Sequence, residues 1–171
     1  RRNLLLHSIL FTIGGIPLVY AGDELGTLND YSYEQDPEKA GDSRWVHRAR
    51  FDWTRAEHRT DGKSPEARIF QGLLRLSQLR HNNLAFTRSE TEIVDPGNDH
   101  VLAFFRQHLE ESVLVLANFS EQPQHIEALR LRQLGLRRTL TDLVGGKLVI
   151  ASQTLELEPY QVMVLVTSRP G

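Results

Sequence analysis

The stretch Leu4-Leu5-Leu6-His7-Ser8-Ile9-Leu10-Phe11-Thr12-Ile13-Gly14-Gly15-Ile16-Pro17-Leu18-Val19-Tyr20 governs how the rest of the chain is read. Leu4, Leu5, Ile9, Leu10 and Ile13 recur at helical spacing, and Gly14-Gly15 ends the run. Pro17-Leu18-Val19-Tyr20 then predicts a short strand, apolar on both faces, of the kind found inside a parallel sheet covered on both sides. Helix, glycine turn and buried strand make one αβ unit of a barrel or doubly wound sheet. One such unit cannot bury itself. Leu4, Ile9, Val19 and the later stripe at 69–79 are therefore expected to form an apolar face covered by self-association or by other chain segments.

Downstream of this unit, residues 21–64 show neither helical nor strand periodicity, a length that points to a binding or lid loop. Ser64-Pro65-Glu66 carries the start signal of a helix, with Ser as N-cap and Pro at the first helical position. Ile69, Leu73, Leu76 and Leu79 continue its stripe until His81-Asn82-Asn83. After about residue 90 the texture changes to short runs rich in Val, Ile, Leu and Phe between turn signals. Strands are predicted at 92–94, 101–106, 112–118, 124–126, 139–143, 148–150, 154–157 and 161–166, which argues an antiparallel sandwich. The chain is α/β up to about residue 88 and all-β afterwards, α+β overall.

With 171 residues the chain can build one domain or two small ones, and it falls short of the roughly 250 residues of a closed (β/α)8 barrel. Its 40% hydrophobic and 25% charged content is that of a globular chain. Twenty basic against 22 acidic residues give a net charge of −2 with no long run of either sign, so neither nucleic acid nor a membrane surface is an expected partner. The apolar run at 4–20 is interrupted by His7, Gly14, Gly15 and Pro17, which excludes a membrane span there. Cysteine is absent, which removes disulfides, thiol catalysis and cysteine-bound zinc. The only Met is Met163, so translation is expected to begin ahead of Arg1, as is any targeting signal; the compartment is left open, with the cytoplasm as default.

The loop at 21–64 concentrates the chemistry. It holds Trp45, Trp53, Tyr31, Tyr33, five arginines (Arg44, Arg48, Arg50, Arg55, Arg59) and many carboxylates. Sugars present apolar C–H faces that rest on aromatic rings, and hydroxyl rims that match guanidinium forks and carboxylates. A loop stapled to its own body by Arg–Asp pairs explains the same composition. Asp23-Glu24 is the best placed carboxylate pair. A retaining glycosidase needs two carboxyls about 5 Å apart across the scissile bond, whereas adjacent residues of an extended chain point in opposite directions. A structural role is expected for Glu24, satisfying backbone donors of the following loop. His47 stands inside the arginine cluster. No His-x-x-x-His spacing, dinucleotide or phosphate loop, or serine elbow is present, so no metal site and no cofactor is expected.

Gly15-Ile16-Pro17-Leu18-Val19-Tyr20-Ala21-Gly22-Asp23-Glu24 resembles the motif at the eighth barrel strand of the α-amylase superfamily, glycoside hydrolase family 13. Its continuation, Gly26-Thr27-Leu28-Asn29-Asp30 and then Asp42-Ser43-Arg44-Trp45-Val46-His47-Arg48, is similar to amylosucrases and the related sucrose hydrolases. Asp142-Leu143-Val144-Gly145-Gly146-Lys147 and Leu157-Glu158-Pro159-Tyr160-Gln161-Val162-Met163 look like that family's C-terminal β-sandwich. The resemblance implies a C-terminal fragment of a (β/α)8 TIM barrel at 1–88, with its eighth βα loop at 21–64, and a C-terminal β-sandwich domain at 89–171. It implies a retaining glucosyl transferase acting on sucrose and an α-glucan, or a sucrose hydrolase or other α-amylase-type glycosidase, with the catalytic carboxylates ahead of Arg1. Arg44 matches the arginine that closes the glucose pocket by a buried ion pair, whose loss would cost roughly 3–5 kcal/mol. Arg48 and Arg50 match arginines on the acceptor side, and Asp30 and Tyr33 fall at the mouth. Gly22, Asp23, Glu24, Trp45 and His47 fall to the supporting structure. Position 49 is Ala where the family pattern favours Pro. A different class, a non-catalytic carbohydrate-binding or packing module, is disfavoured because Phe104, Phe105 and Phe119 sit in strands or at a strand end and leave no aromatic platform.

Overall fold

The computed structural model describes residues 1–87, 89–108, 111–136 and 139–167. By contacts the chain divides into two compact units, Arg1–Pro17 with Arg75–Gly171, and Leu18–Leu74. This division differs from the boundary expected at 88/89. The reason is packing: the first helix and the end of a later one bury their apolar side chains on the β-sheet.

The first unit is organised by strand β3 (Glu111–Asn118). From Val113 to Ala117 every residue is fully buried, yet the side chains serve two different cores. Strand geometry sends successive side chains to opposite faces. Leu114 and Leu116 join Ala103, Phe105, Leu140, Met163 and Leu165 on one side, while Val113, Val115 and Ala117 join Phe104, Val162 and Val164 on the other. β3 is flanked by β2 (Val101–His108) and β8 (Val162–Thr167), with β1 (Glu90–Val94), β5 (Thr139–Asp142) and β6 (Lys147–Ile150) outside them. The resulting sheet has the order β1-β2-β3-β8-β5-β6, every pair antiparallel.

The first face is covered by a two-stranded sheet, β4 (Gln124–Ile126) with β7 (Leu155–Leu157), and by a short helix at Ala128–Gln133. Ile126, Leu155, Leu157 and Leu131 fill that core. All eight predicted strands are present within two residues of their expected ends. The expectation of an all-β region needs one correction, the helix at Ala128–Gln133. Its six residues, Ala-Leu-Arg-Leu-Arg-Gln, are too few to display a 3.6-residue period, and their alternation mimics a strand.

The opposite face is covered by α1 (Arg2–Thr12), through Leu5 and Ile9, and by Leu79, Ala85 and Phe86. Helix α1 ends where expected, and its orphan carbonyls are met from across the unit. Arg80 donates Nη1 to Phe11 O at 2.7 Å and Nη2 to Gly15 O at 2.5 Å. Arg106 is also buried, giving Nε to Ala85 O and Nη1 to Thr91 Oγ1, and burial lowers both arginines' pKa. Asp142, 2% exposed, closes the β5–β6 turn by accepting the backbone N–H groups of Val144, Gly145 and Val164 at 3.0–3.1 Å. Phe104 and Phe105 are buried, and Phe119 is half exposed by itself.

Two expectations from the opening stretch are revised. Residues 16–20 form no strand: among the described residues they pair with no ladder, and Ile16, Leu18 and Tyr20 are 94%, 77% and 55% exposed. A parallel strand exists only through its neighbours, and the chain offers 16–20 none. The helical stripe, conversely, is not an uncovered face. Leu73, Leu76 and Leu79 are all buried within the chain, on a helix running Pro65–Asn82 as predicted.

Candidate functional site

The site lies in the second unit and is built from aspartates that fold short turns. Asp30, Asp36 and Asp42, spaced six residues apart, each accept the backbone N–H of the residue two positions on, from Ser32 (2.9 Å), Glu38 (3.0 Å) and Arg44 (3.0 Å). Such Asx turns let an irregular segment satisfy its own backbone. Single 3₁₀ turns follow at Ser32–Gln35 and Ser43–His47. The loop expected to be featureless is therefore a chain of short helical turns, completed by α2 (Trp53–Glu57), whose N-cap is Asp52.

Two cross-links join the ends of this segment. Asp30 N–H donates to Val46 O at 2.9 Å, and His47 Nδ1 lies 3.1 Å from Asn29 Oδ1. Between them opens a recess of about 720 Å³, lined by Asn29, Asp30, Ser32, Tyr33, Asp36, Lys39, Trp45, Arg48, Ala49 and Arg50. Trp45 and Tyr33 are its aromatic lining. Lys39 Nζ lies 5.4 Å and Arg48 Cζ 5.3 Å from the Trp45 ring centroid, within cation–π range.

The structure thus gathers Asp30, Tyr33, Trp45, Arg48 and Arg50 around one recess. Arg44 is placed differently from its expected buried pairing. Its guanidinium is 73% exposed and forms a two-pronged pair with Asp42, Nε to Oδ1 at 2.8 Å and Nη2 to Oδ2 at 2.8 Å. That contact, with the Arg44 backbone N–H, lowers the Asp42 pKa to about 2. Asp36 is held below the usual carboxylate range by the Lys39 ammonium 2.5 Å away, and Asp30 by its hydrogen bonds from Ser32.

Gly22, Asp23 and Glu24 form the tight turn that precedes this segment. Glu24 Oε2 accepts Gly22 N–H at 2.7 Å, and Asp23 Oδ2 accepts Tyr20 N–H at 3.1 Å. The donor Glu24 meets is in its own turn, not in the loop beyond it. Gly22 is left-handed (φ 103°), and a Cβ there would sit 2.9 Å from Thr27 Oγ1. Behind the site, Arg55 grips Glu66 Oε1 with Nε (2.8 Å) and Nη2 (2.6 Å) and reaches Leu25 O. Asn29, Ser32, Asp36 and Lys39 were not singled out from the sequence. Their signal was the six-residue aspartate spacing, which belongs to turn chemistry rather than to any catalytic motif. Among the described residues no group of three or more His, Asp or Glu is arranged to hold a metal ion, and no helix is long and apolar enough to cross a membrane.

Residues 91–166 match the family described as amylosucrase, C-terminal domain. The chain is 27% identical over 164 residues to glucosylglycerate phosphorylase of Escherichia coli (strain K12), covering 95% of this chain and 27% of that protein. It spans about a quarter of the length of this curated relative. Among solved structures, AmyP in complex with maltose superposes with a TM-score of 0.71 at 19% identity, over 99% of this chain and 35% of that one. Trehalulose synthase MutB from Pseudomonas mesoacidophila MX-45 gives 0.70 at 21%, over 97% and 38%. The α-amylase of Geobacillus thermoleovorans, complexed with acarbose, gives 0.67 at 22%, over 98% and 33%. Residues 91–166 are thus similar to an amylosucrase C-terminal domain, and the solved structures share the fold of the chain.

Proposed function

We propose that this chain is the C-terminal part of a retaining enzyme that takes an α-glucosyl unit from sucrose, releases fructose and passes the glucosyl unit to an α-glucan. The observation that carries the reading is the recess, where one tryptophan face is bordered by arginines, a tyrosine and aspartates. In this reading Arg48 and Arg50 border the acceptor side, Asp30 and Tyr33 the mouth, and Arg44 belongs to the wall of the glucose pocket. In this reading residues 17–20 become a barrel strand only when other segments of a longer protein pair with them, 21–64 are the eighth βα loop, and 1–88 the closing part of a (β/α)8 barrel. The bare Leu18, Val19 and Tyr20 side chains support this, since an apolar run that finds no sheet within its own chain fits a strand completed by other segments. The carboxylates that attack the anomeric carbon and protonate the leaving oxygen come from outside these 171 residues. A glucosyl ester forms on the first, and an acceptor hydroxyl then displaces that carboxylate with overall retention.

A second reading is favoured by the phosphorylase relative: inorganic phosphate, instead of a glucan hydroxyl, intercepts the glucosyl ester. The two separate in one assay on a longer protein containing this chain. Incubated with sucrose, it is expected to release fructose and extend an added α-glucan. Glucose 1-phosphate formed only with added phosphate would select the second reading, and free glucose alone would select a hydrolase. The 171-residue protein by itself is expected to release no fructose from sucrose; release by the purified chain would overturn the placement of the catalytic carboxylates.

A further inference from the structure

Arg106 is a buried charge without a counter-charge. The register of β2 sets it beside Thr91 of β1 and Val113 of β3, on the face shared with Phe104, where it is 2% exposed. Its Nε donates to Ala85 O at 3.2 Å and its Nη1 to Thr91 Oγ1 at 2.6 Å, both of them neutral acceptors. Among the described residues Nη2 meets no acceptor, and no carboxylate pairs with the guanidinium. Burial, and after it the like charge of Arg80, disfavour the charged form. A buried lysine escapes such a position by giving up its proton, but a guanidinium keeps its charge at any ordinary pH. The charge therefore stays, and it is costly until an anion meets it.

Arg80 is placed otherwise. It donates to Phe11 O, Ile13 O and Gly15 O, at the carbonyl end of α1, where the partial negative charge of the helix offsets it. Beside Arg106, by contrast, there is open space. A Cβ on Gly14 would stand 3.1 Å from Arg106 Nη1 and 3.5 Å from Thr91 Oγ1, and beyond the chain neighbours of Gly14 no other described atom lies within 4 Å of that point. Gly14 is exposed, so the space is open to solvent. Donors surround it. Thr91 Oγ1 already accepts Nη1, which leaves its own proton free to turn toward the space. The N–H groups of Gly14 and Gly15 meet no backbone acceptor among the described residues.

We propose that the space beside Gly14 binds one small inorganic anion of halide size, held by the Arg106 guanidinium and the Thr91 hydroxyl. Charge-assisted hydrogen bonds of this kind are the strong ones, and here they are sheltered from water. With Arg106 2% exposed, the opening suits an atom-sized ion and not an organic acid. Arg106 stands on the sheet and Gly14 just past the end of α1, so the ion ties the helix end to the sheet. The site shares no residue with the 29–50 recess and does not rest on the glucosyl-transfer reading.

The test is a chloride titration of the 171-residue protein at constant ionic strength, with gluconate as the balancing anion, so that screening stays fixed. Chloride is expected to shift the backbone amides of Gly14, Gly15 and Thr91 saturably in NMR, with a dissociation constant on the order of ten millimolar. At about ten times that concentration it is expected to raise the melting temperature by roughly 3–6 °C. Arg106→Met keeps most of the volume and removes the charge; it is expected to abolish both responses and to melt in gluconate no lower than the native protein. Gly14→Ala keeps Arg106 and puts a methyl into the space, at a residue outside the left-handed region, and is expected to weaken chloride binding about tenfold or more. Shifts that do not saturate, or a chloride response unchanged in Gly14→Ala, overturn the proposal. If Arg106→Met does not fold, the Gly14→Ala titration alone decides.

Discussion

Asp42 shows how a surface carboxylate can be shifted without burial. Its partner Arg44 is largely exposed, so solvent screens the charges; the shift comes from geometry, since Arg44 offers two parallel N–H bonds and its backbone N–H adds a third. The sign follows directly. A carboxyl whose folded pKa is lowered from 3.8 to about 2 contributes fully to stability above about pH 4, and the contribution is lost as the pH falls through about 2. Carbon-detected NMR titration of Asp42 is expected to give a midpoint near 2, and Arg44→Gln to return it toward 3.8. A native midpoint already at the ordinary value would mean that the two side chains are not paired in solution. The pairing also explains why Arg44 was legible as a site residue but its partner was not. The motif that includes it contains both residues, and only the local turn decides that Asp42 folds back on a neighbour two positions away.

At the scale of elements, the structure depends on polar groups placed where strands end. Asp142 is the clearest case, because one buried carboxylate ties the β5–β6 turn to strand β8 through three backbone donors. Asp142→Ala leaves those donors without their acceptor, at a cost of about 3 kcal/mol if only part is recovered by water. For a chain of this size that lowers the melting temperature by roughly 6–12 °C, measurable by calorimetry. A change below about 1 °C would show that the turn holds without it. Gly145 belongs to the same device, as a Cβ there would sit 2.5 Å from Asp142 Oδ2. Elements with local signals were readable in advance. The Ser64 cap, which accepts Ala67 N–H at 3.0 Å, and the continuous apolar runs of β2, β3 and β8 are written in neighbouring residues. The strand expected at 17–20 was not realised because its stability resides in partners that the sequence of the segment cannot supply. The helix at Ala128–Gln133 was missed for the opposite reason: it is held by Leu131 in the core, a tertiary contact acting on a stretch with weak local preference.

Across the whole molecule, burial is distributed unevenly, and this sets where motion is cheapest. The first unit has two apolar clusters on the faces of a six-stranded sheet, with Val113 to Ala117 entirely excluded from solvent. The second has no paired strand among its described residues; its segment at 28–50 satisfies its backbone by Asx turns and single 3₁₀ turns, and Trp53 and Leu28 stand 76% and 81% exposed. Regions with few buried apolar contacts and solvent-exposed backbone hydrogen bonds open locally at small free energy, whereas core strands open only with global unfolding. Native-state hydrogen exchange is therefore expected to protect the amides of 113–117 on the order of a thousandfold more than those of 28–50. The amides of the Pro65–Asn82 helix that follow the Ser64 cap should lie between these limits, since that helix carries buried Leu73 and Leu76. Equal protection in 28–50 and 113–117 would mean that the aspartate turns are as rigid as the sheet, and that the recess is a fixed cavity rather than one ordered by what enters it.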